Sequence, residues 1–110
     1  MRFPDEEVMR FPDVEPFKEE ALPEDGKKAA LKVLEESAEL VEAVKGWLSS
    51  DATTASMTPD HMLEEMGDVL QALGNLAEVL GLNEDHIQRG YDIAYAKNKR
   101  KDGGRYDIRE

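Results

Sequence analysis

Cysteine is absent from the 110 residues of the chain, so neither a disulfide framework nor a thiolate metal site is possible. No N-terminal stretch combines a basic flank with an apolar run of signal-peptide length. Charged residues interrupt every apolar-rich stretch, which argues against a membrane-spanning helix or a membrane partner. Alternating apolar runs, the mark of a half-buried strand, are also missing. These absences predict one small, strand-free domain in the cytoplasm.

Acidic side chains outnumber basic ones by 25 to 14, which gives a formal net charge of −11. A surface of this sign repels phosphates, so no nucleic acid polymer is expected as a partner. The charge is uneven, because the segment between 89 and 109 is rich in lysine and arginine. That segment could hold an anion beside the acidic body. Composition alone favours the simpler interpretation, a helix whose basic end suits the helix dipole.

Three segments show the apolar spacing of amphipathic helices and carry matching end signals. Thr58 can cap the second segment, with Pro59 at its first helical position, and Gly81 ends it as a C-cap glycine would. Asn83 can cap the third, and the glycines at 103–104 break it. We therefore predict an all-α fold, a bundle of about three main helices per chain. The predicted helices cover about 27–48, 59–80 and 84–101.

Prolines punctuate residues 1–26, and the pentapeptide MRFPD occurs there twice, at 1–5 and 9–13. Proline disfavours helix in the residue before it, so this segment is predicted to be irregular. The helical domain is predicted over 27–106, followed by a short tail at 107–110. A helix pair of this length leaves an apolar face exposed. A homodimer or homotetramer is therefore expected to complete the bundle.

Two similar acidic motifs lie on the first two predicted helices. At about 100° per residue, Glu36 and Glu65 each lie at the edge of the apolar arc of their helix. Glu39 and Asp68 lie roughly 60° further round on the same side. Packing the helices together would bring these four carboxylates to one place at the border of the core. The motifs read Glu35-Glu36-Ser37-Ala38-Glu39 and Glu64-Glu65-Met66-Gly67-Asp68.

Such a cluster of carboxylates has two interpretations. Like charges repel each other, and Mg²⁺ would relieve the repulsion because it prefers hard oxygen ligands and is often completed by substrate phosphates. Alternatively, each motif is an ordinary solvated face. Lys32 precedes Glu36 by four residues and Lys45 follows Glu42 by three, so surface ion pairs are available. The matching register of the two motifs makes the metal site as well supported as the solvated face.

The motifs resemble the signature of the MazG-like, all-α nucleoside triphosphate pyrophosphohydrolases, over about residues 27–106. The resemblance implies a helical bundle, completed by self-association, that hydrolyses a nucleoside or deoxynucleoside triphosphate to the monophosphate and pyrophosphate. It implies Mg²⁺, or Mn²⁺, as the cofactor. It also implies an auxiliary, water-activating acid at Glu35. The implied metal ligands are Glu36, Glu39, Glu65 and Asp68.

The third helix of this family often supplies basic and amide groups to the substrate phosphates. The residues in matching places are Lys97, Asn98 and Arg100, with Arg105 in the tail. This region is less aromatic and less arginine-rich than in many family members. Trp47 and Tyr106 are candidates for a base pocket, although packing in the core or at an interface is the favoured role for Trp47. Asn75 lies opposite the apolar arc, where solvent, a substrate or a partner subunit could meet it.

Two other functions remain open at the level of sequence. The net charge of −11 also suits an acidic helical interaction protein without catalysis, such as a DNA mimic, although the basic run at 97–101 argues against one. Within the same superfamily, a phosphoribosylated nucleotide is another candidate substrate. Saturable Mg²⁺ binding separates the mimic from the enzyme, and substrate profiling separates the two enzymes.

Overall fold

The computed structural model describes residues 9–49 and 59–100, and these contain helices but no strand. The prediction of an all-α fold is confirmed, and the three predicted helices are present with bounds that agree within a residue or two. Thr58 and Lys101 lie outside the described residues. None of the described helices combines the length and apolarity that crossing a membrane requires. The long helices are α1 (Gly26–Ser49), α2 (Pro59–Val79) and α3 (Glu84–Arg100), preceded by a short 3₁₀ helix at Glu19–Ala21.

Helices α1 and α2 pack against each other in antiparallel orientation. Gly26 at the start of α1 lies against Leu80, which follows α2, whereas Glu42 near the other end of α1 shares a pocket with His61 near the start of α2. The apolar side chains buried in this pair are all small. They are Ala29, Ala43 and Ala72.

The N-terminal segment crosses the outer side of α2, and we call its residues 14–17 the strap. The side-chain amide of Gln71 donates a hydrogen bond of 2.8 Å to the Glu15 carbonyl, and the Phe17 amide donates one of 3.0 Å to Asn75 Oδ1. Gln71 also donates to Asn75 Oδ1, at 3.1 Å. Asn75 is therefore only 7% exposed, although its helical position faces away from the apolar arc.

Gly74 allows the strap to lie directly on the backbone of α2. A Cβ atom at this position would stand 2.5 Å from Val14 Cγ1, far inside van der Waals contact. Gly90, in the middle of α3, has no such neighbour within 4 Å. Gly74 is thus required by a close approach, whereas Gly90 is not.

The connection from α2 to α3 uses a Schellman motif followed by a capping box. Gly81 has φ +74°, and the amide of Leu82 donates to the carbonyl of Ala77 at 2.8 Å. The His86 amide then donates to Asn83 Oδ1, and the Asn83 amide donates to His86 Nδ1, both at 3.0 Å. Histidine thus takes the place that Glu or Gln usually holds in a capping box. Both predicted caps, Gly81 and Asn83, are confirmed.

Helix α3 contacts neither α1 nor α2 within the described part of the chain. Its larger side chains are consequently exposed, among them Ile87 and Ile93. Tyr91 and Tyr95 stack on each other with ring centroids 6.1 Å apart, and Lys99 lies 5.4 Å from the centre of the Tyr95 ring. The bundle contacts of one chain are therefore those of the α1–α2 pair and the strap.

Replacing Asn75 with alanine should lower the free energy of unfolding by about 1–2 kcal/mol, because the Phe17 amide and the Gln71 side chain lose a buried acceptor. Urea denaturation followed by circular dichroism measures this. Gln88→Ala is the matched control, since it removes only an exposed bond to Asp92 and should change stability by less than about 0.5 kcal/mol. Equal effects of the two changes would show that the strap contributes no stability.

Candidate metal centre

Three acidic side chains converge where α1 and α2 pack together. Glu36 of α1 and Glu65 and Asp68 of α2 each place one carboxylate oxygen so that all three lie within 4.8 Å of one another. Glu65 and Asp68 are one helical turn apart and share a face of α2. Glu36 and Glu65 are partly buried, whereas Asp68 is exposed. The group thus lies at the border of the helix pair and opens to solvent on one side.

Two oxygens of this group are buried without a partner. Glu36 Oε1 and Glu65 Oε1 accept no hydrogen bond from the described part of the chain. A buried carboxylate oxygen without a donor is costly, and two of them beside a third carboxylate add repulsion. A divalent cation with a preference for hard oxygen ligands would satisfy both atoms and neutralise the charge. The residues present therefore fit a site for such an ion.

Lys32 supplies the nearest positive charge of the described ion pairs. Its Nζ lies 3.0 Å from Glu35 Oε1 and 3.6 Å from Glu36 Oε2. The hydrogen bond to Glu35 raises the pKa of Lys32, and the charges of Glu35 and Glu36 add to the effect. Lys32 thus pairs with Oε2 of Glu36, whereas Oε1 of Glu36 is the buried atom that lacks a donor. Glu35 itself lies outside the group and is paired with this lysine.

Glu39, predicted as a fourth ligand, does not belong to the group within 4.8 Å. It lines an adjacent open pocket of about 440 Å³ between α1 and α2, together with Glu65 and His61. Its role as a ligand therefore stays a prediction. His61 had no assigned role in the sequence, although it lies one turn before Glu65 on the same helix. That spacing was the signal that could have placed it beside the site.

The other predicted site residues that the structure describes do not join the carboxylates within one chain. Lys97, Asn98 and Arg100 are on α3, which contacts neither of the helices that carry the acids. Trp47 is near the end of α1, about three turns beyond Glu36, and is 38% exposed. Arg105 and Tyr106, predicted for phosphate and base contacts, lie outside the described residues.

Fold and site together define a class: an all-α protein that presents helix-borne carboxylates suited to a divalent cation. The model of the MazG nucleotide pyrophosphohydrolase domain matches residues 25–102. Since this match spans most of the chain, the protein belongs to the MazG family, whose members generally depend on a divalent metal. Searches of the curated proteins and of the solved structures found no match.

Replacing Lys32 with glutamine should strengthen Mg²⁺ binding about two- to fivefold at low ionic strength, because it removes a positive charge beside a ligand carboxylate. Isothermal titration calorimetry with Mg²⁺ measures the affinity. Lys28→Gln is the matched control: Lys28 pairs with Glu24 at 3.0 Å, away from the group, and its loss should leave the affinity unchanged. Added salt should shrink the effect. Unchanged or weaker binding in Lys32→Gln contradicts the expectation.

Proposed function

We propose that the protein is a Mg²⁺-dependent nucleotide pyrophosphohydrolase that cleaves a nucleoside or deoxynucleoside triphosphate to the monophosphate and pyrophosphate. The observation that carries this proposal is the convergence of Glu36, Glu65 and Asp68, two of them with buried oxygens that lack donors, in a chain of the MazG family. A solvated acidic face, as a DNA mimic would present, gives no reason for oxygens of Glu36 and Glu65 to be buried without donors beside a third carboxylate.

In this proposal Glu36, Glu65 and Asp68 hold the cation, and Glu39 joins them from the adjacent pocket. The cation would polarise a phosphoryl group and neutralise charge on the pyrophosphate that leaves. Glu35, one residue before a ligand, orients the attacking water and takes its proton. Lys32, whose Nζ lies 3.0 Å from Glu35 Oε1, holds this carboxylate beside the ligands.

The phosphate chain of the substrate needs positive charge as well, and α3 carries it at Lys97 and Arg100, with Arg105 further along the chain. The side-chain amide of Asn98 adds a neutral hydrogen-bond donor. Because α3 stands apart from α1 and α2 in one chain, these groups would reach the carboxylates from a neighbouring subunit. We therefore propose a homodimer or homotetramer with shared sites. Trp47 and Tyr106 remain candidates for contacts to the base.

Exposed apolar residues support self-association. Leu34 and Val41 of α1 are 66% and 54% exposed, and Met66 and Leu73 of α2 are 45% and 46% exposed. Within each helix the two residues are seven apart, so each pair forms a stripe along one side. Stripes of this kind on two packed helices are what a second helix pair would cover.

Glu36→Gln, Glu65→Gln and Asp68→Asn should each reduce pyrophosphate release about 10²- to 10³-fold, because each removes a charged ligand without a large change in shape. A coupled pyrophosphate assay over a panel of ribo- and deoxyribonucleoside triphosphates, with Mg²⁺ or Mn²⁺, measures this. Glu64→Gln is the matched control, since Glu64 is an exposed acid next to Glu65 but outside the group. No turnover by the unmodified chain on any nucleotide of the panel would refute the proposal.

Leu34→Asp combined with Leu73→Asp should convert the oligomer to a monomer, because charge in the two stripes opposes their burial. Light scattering coupled to size-exclusion chromatography measures the mass. Ile93→Asp is a control of equal chemistry: Ile93 is 60% exposed on α3, outside the two stripes. A monomeric unmodified chain, or a double variant that keeps its mass, contradicts the proposed interface.

A further inference from the structure

The strap lies outside the part of the chain that matches the family domain. The MazG match begins at residue 25, and the strap, residues 14–17, comes before it. Its docking surface is nevertheless inside the matched domain, at Gln71, Gly74 and Asn75 of α2. Two hydrogen bonds join strap backbone to α2 side chains, so the contact depends on defined atoms and not on apolar burial alone.

The docking surface lies next to the turn of α2 that carries Glu65 and Asp68, which we call the acidic turn. Gln71 lies three residues after Asp68, and such residues are neighbours on a helix surface. None of the ion pairs in residues 9–49 and 59–100 involves Glu65 or Asp68. The position of these two carboxylates therefore depends on how firmly α2 itself is held. Ala72 is buried, and the strap binds Gln71 and Asn75, so both features restrain this part of the helix.

We propose that the strap positions the acidic turn of α2, so that strap docking and divalent-cation binding favour each other, with Gln71 and Asn75 as positioning residues. This inference rests on the proposed function. Three carboxylates that repel each other must be ordered before one ion can bind them all. A docked strap already restricts the motion of the acidic turn. The ion therefore binds with a smaller loss of conformational entropy. The coupling is reciprocal: the ion should also hold the strap in place.

Gly74→Ala provides the first test, because its Cβ would collide with Val14 Cγ1 at 2.5 Å and displace the strap. We expect Mg²⁺ affinity, measured by calorimetry, to fall about fivefold or more. Hydrogen exchange at the Phe17 amide should become faster, since the bond to Asn75 is lost. Gly90→Ala is the control, with open space around its Cβ. It should leave both the affinity and the exchange unchanged.

Val14→Ala in the Gly74→Ala background provides the rescue. A Cβ atom added at residue 74 would lie 3.5 Å from Val14 Cβ, an ordinary contact, so alanine at both positions fits. The double variant should regain Mg²⁺ affinity and Phe17 protection together. A loss of affinity caused by harm to α2 itself would not be reversed by a change in the strap.

Phe17→Pro displaces the strap by a second route, because proline has no amide hydrogen to donate to Asn75. It leaves every residue of α2 in place. Its Mg²⁺ affinity should fall to a similar degree as in Gly74→Ala. In the unmodified chain, saturating Mg²⁺ should slow exchange at Phe17 by a comparable factor.

The outcomes separate this inference from the proposed function. If the unmodified chain binds Mg²⁺ and releases pyrophosphate, but Gly74→Ala and Phe17→Pro bind the ion equally well, the linkage is wrong and the proposed function stands. If the unmodified chain shows no saturable binding of Mg²⁺ or Mn²⁺, the metal site is wrong and the linkage fails with it. Parallel loss and rescue of affinity and protection support the linkage.

Discussion

The close packing of α1 against α2 is the constraint on which the candidate site depends. Ala29, Ala43 and Ala72 are the buried apolar residues of the described chain, and their small side chains let the two helices approach each other. At that separation the stems of Glu36 and Glu65 are partly covered, and their carboxylates meet at the edge of the contact. Larger residues at the alanine positions would push the helices apart and return the acids to solvent.

This packing concentrates negative charge in an already acidic chain. With a net charge of −11, and with Lys32 as the cation paired to the group in the described residues, the carboxylates of α1 and α2 oppose the fold that brings them together. A bound ion removes the repulsion among these carboxylates. Ion binding therefore also stabilises the folded chain. A purely structural contact would not favour burying Glu36 Oε1 and Glu65 Oε1 without hydrogen-bond donors. The convergence of the acids is therefore understandable as a requirement of function.

Much of this arrangement was predictable from the sequence. The remainder was not predictable, and the causes are physical. The 3.6-residue period located α1, α2 and α3 and placed Glu36, Glu65 and Asp68 on converging faces. Helical angles give a direction but no distance, which is why Glu39 was grouped with them. The period also describes one apolar face only, so it could not reveal that an extended segment covers Asn75 on the other side. Extended segments bound through their backbone leave little trace in side-chain patterns.

Helix α3 forms without packing on the other described long helices of its own chain. Its cap, its stacked tyrosines and its dipole-matched basic end account for a helix that forms locally, yet it packs on neither α1 nor α2. Ile87 and Tyr91 of this helix are exposed, so the free energy of burying their apolar surface is not realised in one chain. Its basic end has the positive charge that the carboxylates of α1 and α2 lack, whereas the apolar stripes of α1 and α2 suit a second α1–α2 pair. In the oligomer that we propose, burial of the stripes and attraction between the basic end of α3 and the carboxylates of a neighbouring copy would reduce both the apolar and the electrostatic costs of the single chain.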